Sequence, residues 1–341
     1  MRLLVVRLGS LGDLIHTLPA VAALRRAHPD AAIDWLVDAA HRELLELVPI
    51  LSSIVALERP SAGGWLEARR VLKGRHYDVA LDFQGLLKSA ALARLSGAPR
   101  VLGFDRAALR EPFARVFYTK HVRTTPGVHV VRKNLELAVA AGATDGPLSF
   151  PLADVESPAL DALRRQGLDR FALLNCGAAW PNKRWPADRF GALADWLRAT
   201  HGVSSVVLWG PGEEALADEA AARSNGAAVK APPTGLRDLV ALSRAASLIV
   251  SGDTGPTHIA AAVGTPVVAL FGPTDPARNG PWEAADVTIA RYDSCACHYE
   301  RQCRRDREAW CLGSITEAEV RAAVTMRLQR ASMRRAAGAP R

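Results

Sequence analysis

The sequence alternates short apolar segments with amphipathic ones, and polar loops that contain glycine follow several of the apolar segments. The stretch SGDTGPTHIAAAVGTPVVALFGPTDP, residues 251–276, shows this pattern twice, with the loops GDTGPTH and GPTD each following an apolar segment. Apolar strands that alternate with helices build βαβ units, in which the strands pair in parallel. The alternation therefore predicts an α/β fold with polar loops at the carboxyl ends of buried strands.

The βαβ pattern occurs in two consecutive blocks, and the segment GPLSFPLADVESP, residues 146–158, separates them. The strands predicted from the pattern cover residues 3–8, 33–37, 54–57, 79–83 and 101–104, then 171–175, 205–209, 227–230, 248–250 and 266–271. A length of 341 residues also exceeds what one typical core needs. We therefore predict two domains with parallel sheets, residues 1–155 and 156–315, and a C-terminal helix with a basic tail, residues 316–341. Ligands of open α/β sheets bind at the carboxyl ends of the strands, so we expect a cleft there.

The formal net charge is +8, and the excess lies in two stretches. Residues 99–133 carry eight Lys and Arg against Asp105 and Glu111, and the tail from Thr316 carries six Arg against two Glu. Such stretches suit phosphates, nucleic acid or an anionic membrane surface, and for the tail solvated surface charge is the alternative. No uncharged apolar run of about 18 residues occurs, so we expect no transmembrane helix. The N-terminal MRLLVVRLGSLGD is interpreted as a strand, not a signal peptide, which favours the cytoplasm.

The loop GDTGPTH leads into a predicted helix of small residues. A helix N-terminus offers unpaired backbone N–H groups and the positive end of the helix dipole, and glycine lets a ligand approach the backbone closely. Asp253, Thr254, Gly255 and His258 are therefore candidates for binding a phosphate group. Helix capping by Asp253 or Thr254 is the alternative, but it accounts for one residue only.

Two further loops follow strands of the second block. CGAAWPNKRWP, residues 176–186, carries Lys183 just before a predicted helix start at Trp185-Pro186, where its ammonium group could reach the same phosphates. WGPGEE, residues 209–214, offers Glu213 or Glu214 to the hydroxyls of a ribose. An ordinary surface lysine and carboxylates that complement a helix dipole are the alternatives.

In the first block, LGSLGDLIHTLPA, residues 8–20, places Asp13 at the start of the first predicted helix. A carboxylate there can act as general base toward an incoming hydroxyl, or it can only complement the helix dipole. The glycine turn matches neither G-x-G-x-x-G nor a Walker motif, which argues against a nicotinamide enzyme and a P-loop NTPase. The chain also lacks an Asp-x-Asp pair for a metal-bound diphosphate and a Gly-x-Ser-x-Gly elbow.

Taken in order and at their separations, the motifs resemble glycosyltransferase family 9, the bacterial heptosyltransferases, and most closely the type I members. The segments that carry the resemblance are LGSLGDLIHTLPA, DFQGLLKSA (82–90), REPFARVFYTKH (110–121), NKRWP (182–186) and SGDTGPTHIAAAVGTPVVALFGPTDP. The resemblance implies a GT-B fold, in which two Rossmann-like domains face each other across a cleft. It also implies that the first domain binds the acceptor and the second binds a nucleotide sugar.

The activity that the resemblance implies is an inverting, metal-independent transfer without a cofactor. The donor would be ADP-L-glycero-β-D-manno-heptose, and the acceptor would be Kdo of the lipid A–Kdo core. Asp13 matches the family's general base, Lys183 the lysine on the donor diphosphate, and Glu213 or Glu214 the ribose-binding acid. Asp253, Thr254 and Gly255 match the donor-binding loop, and His258 is a further donor candidate. Ala178 and Ala179 stand where type I enzymes carry hydroxyl residues that help to bind phosphate.

The acceptor carries phosphates and carboxylates, which gives the basic stretch 99–133 a function. The acceptor-binding candidates are Ser10, Lys88, Arg110, Lys120 and Arg123. The Arg-rich tail could hold the enzyme at the anionic cytoplasmic face of the inner membrane, with each charge near the bilayer contributing about 1 kcal/mol.

Four of the five cysteines lie in CACHYERQCRRDREAWC, residues 295–311. Clustered thiols in a cytosolic chain favour a metal over disulfides, yet this spacing is not a common zinc-finger pattern. A structural zinc at Cys295, Cys297, Cys303 and Cys311, a disulfide pair and free thiols remain alternatives.

Three other functions stay open at this point. One is a family 9 transferase with another donor or acceptor, such as a type II heptosyltransferase. Another is a sugar-nucleotide epimerase on the same scaffold. The last is a nucleic-acid binder, suggested by a pI near 9.6, although no recognition motif is present and we expect no nucleic-acid partner.

Overall fold

The computed structural model describes residues 1–58, 62–144, 146–303 and 310–336, which form two compact units, Met1–Ala153 and Asp154–Arg341. Each unit contains one six-stranded parallel sheet. The strands are β1 (Arg2–Val6), β2 (Ala32–Asp38), β3 (Ser53–Leu57), β4 (Val79–Asp82), β5 (Arg100–Phe104) and β6 (Lys120–Val122), then β7 (Phe171–Asn175), β8 (Ser204–Leu208), β9 (Ala228–Lys230), β10 (Leu248–Gly252), β11 (Val267–Phe271) and β12 (Val287–Ala290).

Helices connect the strands of both sheets. They are α1 (Leu11–Ala27), α2 (Arg42–Leu45), α3 (Ala62–Lys73), α4 (Leu87–Leu95), α5 (Val130–Val139), α6 (Pro158–Arg165), α7 (Ala187–His201), α8 (Glu214–Ala222), α9 (Leu236–Ala245), α10 (Gly255–Ala262), α11 (Pro276–Asn279), α12 (Trp310–Gly313) and α13 (Glu317–Ala336). Four short 3₁₀ helices cover Ala39–His41, Arg106–Ala108, Pro112–Phe117 and Pro181–Lys183.

The two sheets have the same topology. Their strand orders are β3-β2-β1-β4-β5-β6 and β12-β11-β10-β7-β8-β9, which is the Rossmann order 3-2-1-4-5-6 in each unit. The predicted α/β class with two Rossmann-like parallel sheets is confirmed. In such a sheet the chain reverses its strand order between the first and fourth strands, and ligands bind outside the carboxyl ends there. The loops expected to bind a ligand are therefore those after β1 and β4 and those after β7 and β10.

The central strands are buried on both faces, as parallel sheets require. Residues 3–6 of β1 and every residue of β7 are buried, and so is most of α1. Helix α1 ends at Ala27, because Pro29 disfavours a helical conformation at His28. In the second unit, the rings of Trp185 and Phe190 meet edge to face in the core, with centroids 4.9 Å apart.

The pattern-based prediction missed two edge strands. β6 has only three residues, two of them exposed, and β12 alternates between half-buried and exposed positions. Neither segment has the continuous apolar character that marks the central strands. Edge strands are commonly short, and β6 and β12, with three and four residues, give a correspondingly weak signal in the sequence.

The basic tail forms a helix that belongs to the second unit, and residues 337–341 lie outside the described part. Arg327 of α13 is buried and forms a 2.7 Å ion pair with Asp286, and Arg321 pairs with Glu317 at 2.8 Å. These two cations serve the fold, which weakens the prediction that the tail binds a membrane. No helix within the described residues combines the length and apolarity that a membrane span needs.

Candidate functional site

Asp253 organises the polar loops at the carboxyl edge of the second sheet. Its Oδ1 accepts hydrogen bonds from His258 Nε2 at 3.1 Å and Asn279 Nδ2 at 3.0 Å. Its Oδ2 accepts from Lys183 Nζ at 2.6 Å and Thr274 Oγ1 at 2.7 Å. Burial by itself raises the pKa of a carboxyl group, but His258 and Lys183 outweigh it and hold the pKa of Asp253 well below its usual range. Asp253 therefore links three loops and the start of α10 through a permanent negative charge.

The sequence analysis had named Asp253, Lys183 and His258 as separate ligand contacts, and the structure brings them together around one carboxylate. It had not named Thr274 or Asn279. Thr274 was visible in the loop GPTD, but nothing in the sequence pattern of Asn279 indicated that it would reach back across 26 residues to Asp253.

The start of α10 carries a second polar cluster. Asn175 Nδ2 contacts Ser251 Oγ at 3.0 Å and Thr254 Oγ1 at 3.1 Å, which joins the carboxyl ends of β7 and β10. Thr257 Oγ1 donates to the carbonyl of Gly252 at 2.5 Å. Thr254 is the N-cap residue by position, but its side chain makes no capping bond to α10. The first-turn N–H groups, at Gly255 and beyond, therefore remain directed at the space before the helix.

Lys183 lies in a 3₁₀ turn and not directly at a helix start, because α7 begins only at Ala187. Its ammonium group contacts Asp253 and lies 4.6 Å from the centre of the Trp180 ring. A Cβ atom on Gly252 would lie 2.5 Å from the carbonyl oxygen of Lys183, so the two loops approach as closely as they do only because residue 252 is glycine. These contacts fix the position of the lysine charge beside α10.

Glu213 lies next to the loop after β7. Its Oε2 accepts from Gly210 N at 3.0 Å, and its carboxylate occupies the space that a side chain on Gly177 would need. Arg184 lies 3.6 Å from the same carboxylate and donates to the carbonyl of Ala178 at 2.7 Å and 2.9 Å. Glu214 begins α8 and is exposed. Of the two predicted acids, Glu213 is thus the one that contacts the loop after β7.

Cys176, the first residue of this loop, is buried. Burial raises the pKa of its thiol to about 12. It packs in the core of the second unit, as a small apolar side chain would.

In the first unit, Asp13 lies in the first turn of α1 at the carboxyl edge of the sheet. Its Oδ2 accepts from the backbone N–H and the hydroxyl of Ser10, both at 3.1 Å, and its Oδ1 forms a 2.5 Å ion pair with Arg7. Burial raises the pKa of Asp13, but Arg7 and His16 outweigh it, so that the pKa falls to about 2. The side chain keeps 28% of its surface exposed and can be reached by another molecule.

Arg7 was not predicted as a site residue. It is nearly buried, donates to the carbonyl of Phe83, and accepts from Trp35 Nε1 through its own carbonyl at 3.0 Å. A signal was present in the sequence, because Arg7 is a charged residue within an otherwise apolar strand segment, LLVVRL.

A second buried carboxylate, Asp82, shapes the loop after β4. It accepts from Tyr118 Oη at 2.7 Å, Ser89 Oγ at 2.9 Å and Gln84 N at 2.9 Å, and burial raises its pKa. The Gln84 side chain in turn accepts from Leu8 N at 2.8 Å. Asp82 and Gln84 therefore connect the two loops at the point where the first sheet reverses its strand order.

The predicted acceptor cations divide into two groups. Lys88 is half-buried near the start of α4, and Arg110 and Arg123 are exposed on segments that follow β5 and β6, so all three lie toward the carboxyl edge. Lys120 does not. Its Nζ donates to the carbonyl of Ala140 at 3.2 Å, at the C-terminal end of α5.

That end of α5 belongs to the amino edge of the sheet, because the neighbouring Ala141 carbonyl contacts His28 at the end of α1. Lys120 thus lies at the edge opposite to Asp13. There it complements the negative end of the α5 dipole, and this position does not support the prediction that it binds the acceptor.

The cysteines of the predicted cluster do come together. Cys295, Cys297, Cys303 and Cys311 are buried against one another and no disulfide links these four residues, so the disulfide alternative lacks support. Cys297 and Cys303 have their sulfur atoms 3.4 Å apart. Within the described ranges, no group of three or more His, Cys, Asp or Glu side chains has the arrangement of a metal site, so the zinc alternative lacks support. Burial raises the pKa of Cys311 to about 12, and its sulfur packs beside Gly272.

Comparison with known proteins gives the family. The model of glycosyltransferase family 9 (heptosyltransferase) matches residues 65–308. The chain is 33% identical over 325 residues to lipopolysaccharide heptosyltransferase 1 of Pseudomonas aeruginosa, which covers 89% of this chain and 87% of the relative. It is also 29% identical over 291 residues to lipopolysaccharide heptosyltransferase 3 of Escherichia coli, covering 80% and 82%.

Solved structures give the same result. The chain resembles the Escherichia coli heptosyltransferase WaaC with ADP at a TM-score of 0.76 and 25% identity, covering 98% of this chain and 100% of that one. It resembles WaaC with ADP-2-deoxy-2-fluoro heptose at a TM-score of 0.75 and 26% identity, covering 95% and 99%. These neighbours confirm the predicted GT-B fold class.

The family match decides among the functions that the sequence left open. It spans well over half of the chain and includes the loops described above at the carboxyl edge of the second sheet. It favours glycosyl transfer over epimerisation and over nucleic-acid binding. The chain therefore belongs to glycosyltransferase family 9, the heptosyltransferases, and it is a glycosyltransferase.

Proposed function

We propose that this chain transfers a heptose from ADP-L-glycero-β-D-manno-heptose to Kdo of the lipopolysaccharide inner core, with inversion at the anomeric carbon and without a metal. The names of its relatives support the pathway and the donor, since they include lipopolysaccharide heptosyltransferase 1 and WaaC with ADP and with an ADP-heptose analogue. The single observation that carries the proposal is the Lys183–Asp253 pair beside the N-terminus of α10. It offers a fixed positive charge and backbone N–H groups to a diphosphate.

The donor binds at the carboxyl edge of the second sheet. The backbone N–H groups of the first turn of α10, near Thr254 and Gly255, receive the phosphate oxygens, since a helix N-terminus favours anions. Backbone donors of this kind also compensate for Ala178 and Ala179, which cannot supply hydroxyl groups. Glu213 binds the ribose hydroxyls, and Lys183 contacts the diphosphate. His258 acts through Asp253, whose four hydrogen bonds leave its oxygens little capacity for the ligand.

Asp13 accepts the proton of the Kdo hydroxyl during the attack. The hydroxyl oxygen forms a bond to the anomeric carbon on the face opposite to the diphosphate, the bond from that carbon to the phosphate oxygen breaks, and ADP leaves. A carboxylate whose pKa is about 2 is ionised throughout the physiological range, which a general base requires. Ser10 and Arg7 hold the carboxylate in one orientation.

Negative charge develops on ADP as the bond breaks, and fixed donors have to stabilise it. Lys183 and the first turn of α10 supply these donors without reorganising during the reaction. Removal of one comparable donor from an oxyanion site costs about 2.7–4 kcal/mol of transition-state stabilisation. We propose that this electrostatic contribution replaces a metal.

The acceptor is anionic, and Lys88, Arg110 and Arg123 recognise its phosphate and carboxylate groups together with Ser10. The acceptor is also part of a lipid, so we propose that the enzyme works as a peripheral protein on the cytoplasmic face of the inner membrane. No nucleic-acid partner is required.

The test is ADP release from ADP-heptose in a metal chelator, with and without a Kdo-containing lipid A acceptor. We expect release that depends on the acceptor and continues in the chelator. Release that stops with the chelator would contradict the metal-independent mechanism, and an absence of release would contradict the donor–acceptor assignment.

A second candidate is supported by the 29% identity to lipopolysaccharide heptosyltransferase 3. For this alternative we propose the same donor and an acceptor that already carries heptose. Parallel assays with heptose-free and heptosylated core acceptors separate the two, because each predicts turnover with only one of the acceptors.

A further inference from the structure

Two large apolar side chains project from the first unit into solvent. They are Phe113, 77% exposed, and Val116, 69% exposed, and both lie in the 3₁₀ helix Pro112–Phe117. A 3₁₀ helix has three residues per turn, so residues 113 and 116 lie on the same side. Leu87, at the start of α4, is 43% exposed and close by, because its backbone N–H donates to Glu111 at 2.7 Å. Exposed apolar groups that lie together commonly mark a binding surface.

The 3₁₀ helix is held rigidly against the unit. Ala114 is fully buried on its inner side, and Tyr118, the residue that ends it, donates to the buried Asp82 at 2.7 Å. The hydrogen bonds from Ala114 N to Glu111 and from Tyr118 N to Arg115 close its two turns. Phe113 and Val116 therefore stay exposed because the inward positions are already filled, and not because the segment is loose.

Exposed cations lie on the same connection as these side chains. Arg106, Arg110 and Arg115 are exposed on the same connection between β5 and β6. The acid of this connection nearest to Phe113 is Glu111, and it is half-buried and bonded to the Leu87 backbone. An apolar centre with a cationic rim is complementary to a bilayer whose surface carries anionic lipids.

We propose that the surface formed by Leu87, Phe113, Val116, Arg106 and Arg115, here called the Phe113 surface, docks on an anionic phospholipid bilayer. Phe113 and Val116 enter the boundary between headgroups and acyl chains, and Arg106 and Arg115 contact lipid phosphates. This inference deepens the proposed function, since it rests on a membrane-embedded acceptor and says which face meets the membrane. It also replaces the C-terminal tail as the membrane contact, because Arg321 and Arg327 of that tail are engaged within the second unit.

The test is flotation of the purified full-length chain with vesicles of phosphatidylcholine alone and with added phosphatidylglycerol. The native chain should bind the anionic vesicles preferentially. The double variant Phe113→Ser/Val116→Ser should bind them about tenfold more weakly, since burial of even one such side chain contributes at least that factor. Arg106→Gln/Arg115→Gln should remove the preference for anionic vesicles and the dependence on salt.

The matched control is Met326→Ser/Met333→Ser, which removes two exposed apolar side chains, 44% and 69% exposed, from α13 of the second unit. It should bind vesicles like the native chain. The proposal would be overturned if Phe113→Ser/Val116→Ser bound anionic vesicles as well as the native chain does. It would also be overturned if only Met326→Ser/Met333→Ser bound them more weakly than the native chain. A change of oligomeric state in the Phe113/Val116 variant, with vesicle binding intact, would instead identify the surface as a contact between copies and would also overturn it.

Transfer assays separate this proposal from the proposed function. With a deacylated, water-soluble acceptor, Phe113→Ser/Val116→Ser should turn over at the native rate, and with an acceptor embedded in anionic vesicles its apparent KM should rise about tenfold. Loss of activity by the native chain on both acceptors would refute the function and leave the vesicle-binding result to stand by itself.

Discussion

Asp13 and Asp253 each lie beside the point where the sheet of their unit reverses its strand order, Asp13 after the first strand and Asp253 after the fourth, and their surroundings differ. Each has a pKa below that of an ordinary aspartate. Asp253 is buried and accepts four side-chain hydrogen bonds, whereas Asp13 keeps 28% of its side-chain surface exposed. A carboxylate with all its acceptor positions filled can organise a site, and one with an open side can take part in chemistry. The predictions below test this division.

The largest effect is expected from Asp13→Asn. General-base catalysis contributes about 10²–10⁴-fold, so transfer should fall by that factor while calorimetric titration still detects ADP binding. Asp238→Asn is the matched control. Asp238 also lies in the first turn of a helix, α9, and it accepts a hydrogen bond at 3.1 Å from the backbone N–H of Gly235, the residue that precedes this helix. That variant should lose only the stability typical of a helix cap, about 0.5–2 kcal/mol. Comparable activity in both variants would reduce Asp13 to a capping residue.

Asp253→Asn should act on stability and donor binding together. It leaves Lys183 without a partner charge in a buried site, and such a loss costs about 3–5 kcal/mol of unfolding free energy. The control is Asp286→Asn, which breaks the buried ion pair with Arg327 at 2.7 Å in the same unit. We expect urea unfolding to show destabilisation in both, with ADP affinity reduced only for Asp253→Asn. Normal ADP affinity in Asp253→Asn would contradict its organising role.

Lys183→Met should lower kcat by about 10²–10³, the effect of removing one donor from an oxyanion site. Lys230 provides a close control, since it also pairs with an aspartate at 2.6 Å and lies 5.9 Å from a tryptophan ring, but at the surface. Lys230→Met should leave kcat unchanged in the same ADP-release assay. If both lysine variants behave alike, then Lys183 does not act on the leaving diphosphate.

The smallest effect concerns pH. The pKa of Asp13 is lowered from 3.8 to about 2 in the folded chain, so its ionised form stabilises the fold above pH 3.8 and this contribution is lost as the pH falls toward 2. The shift corresponds to about 2 kcal/mol. Urea midpoints of the native chain and Asp13→Asn should therefore differ most near neutral pH and converge in acid. A constant difference down to pH 3 and below would show that Arg7 does not stabilise the charge.

Much of this site was accessible from the sequence, and the reasons are specific. Apolar strands followed by glycine-containing loops predicted both sheets, and they placed Asp13, Lys183 and Asp253 at carboxyl edges. The partners of these residues could not be predicted in the same way. Asn279 reaches Asp253 from a separate helix, and Arg7 reaches Asp13 from within a strand, so both contacts depend on tertiary packing.

For Lys120, the sequence suggested a functional role but could not show at which edge of the sheet the side chain lies. Its place in a basic stretch suggested an acceptor contact, but a strand has two ends, and the charge pattern does not tell which end a side chain approaches. The contact with the Ala140 carbonyl places the Lys120 side chain at the amino edge. The cysteine spacing was equally uninformative, because it could not distinguish a buried cluster of packed cysteines from a metal site.

The most direct test of the central claim is the mass of a Kdo-containing acceptor after incubation with ADP-heptose and either the native chain or Asp13→Asn. The account predicts that the native chain adds the mass of one heptose residue in the presence of a chelator and that Asp13→Asn, although it binds ADP, leaves the acceptor unchanged over the same time. An unchanged acceptor with the native chain, or equal addition by the variant, would contradict it.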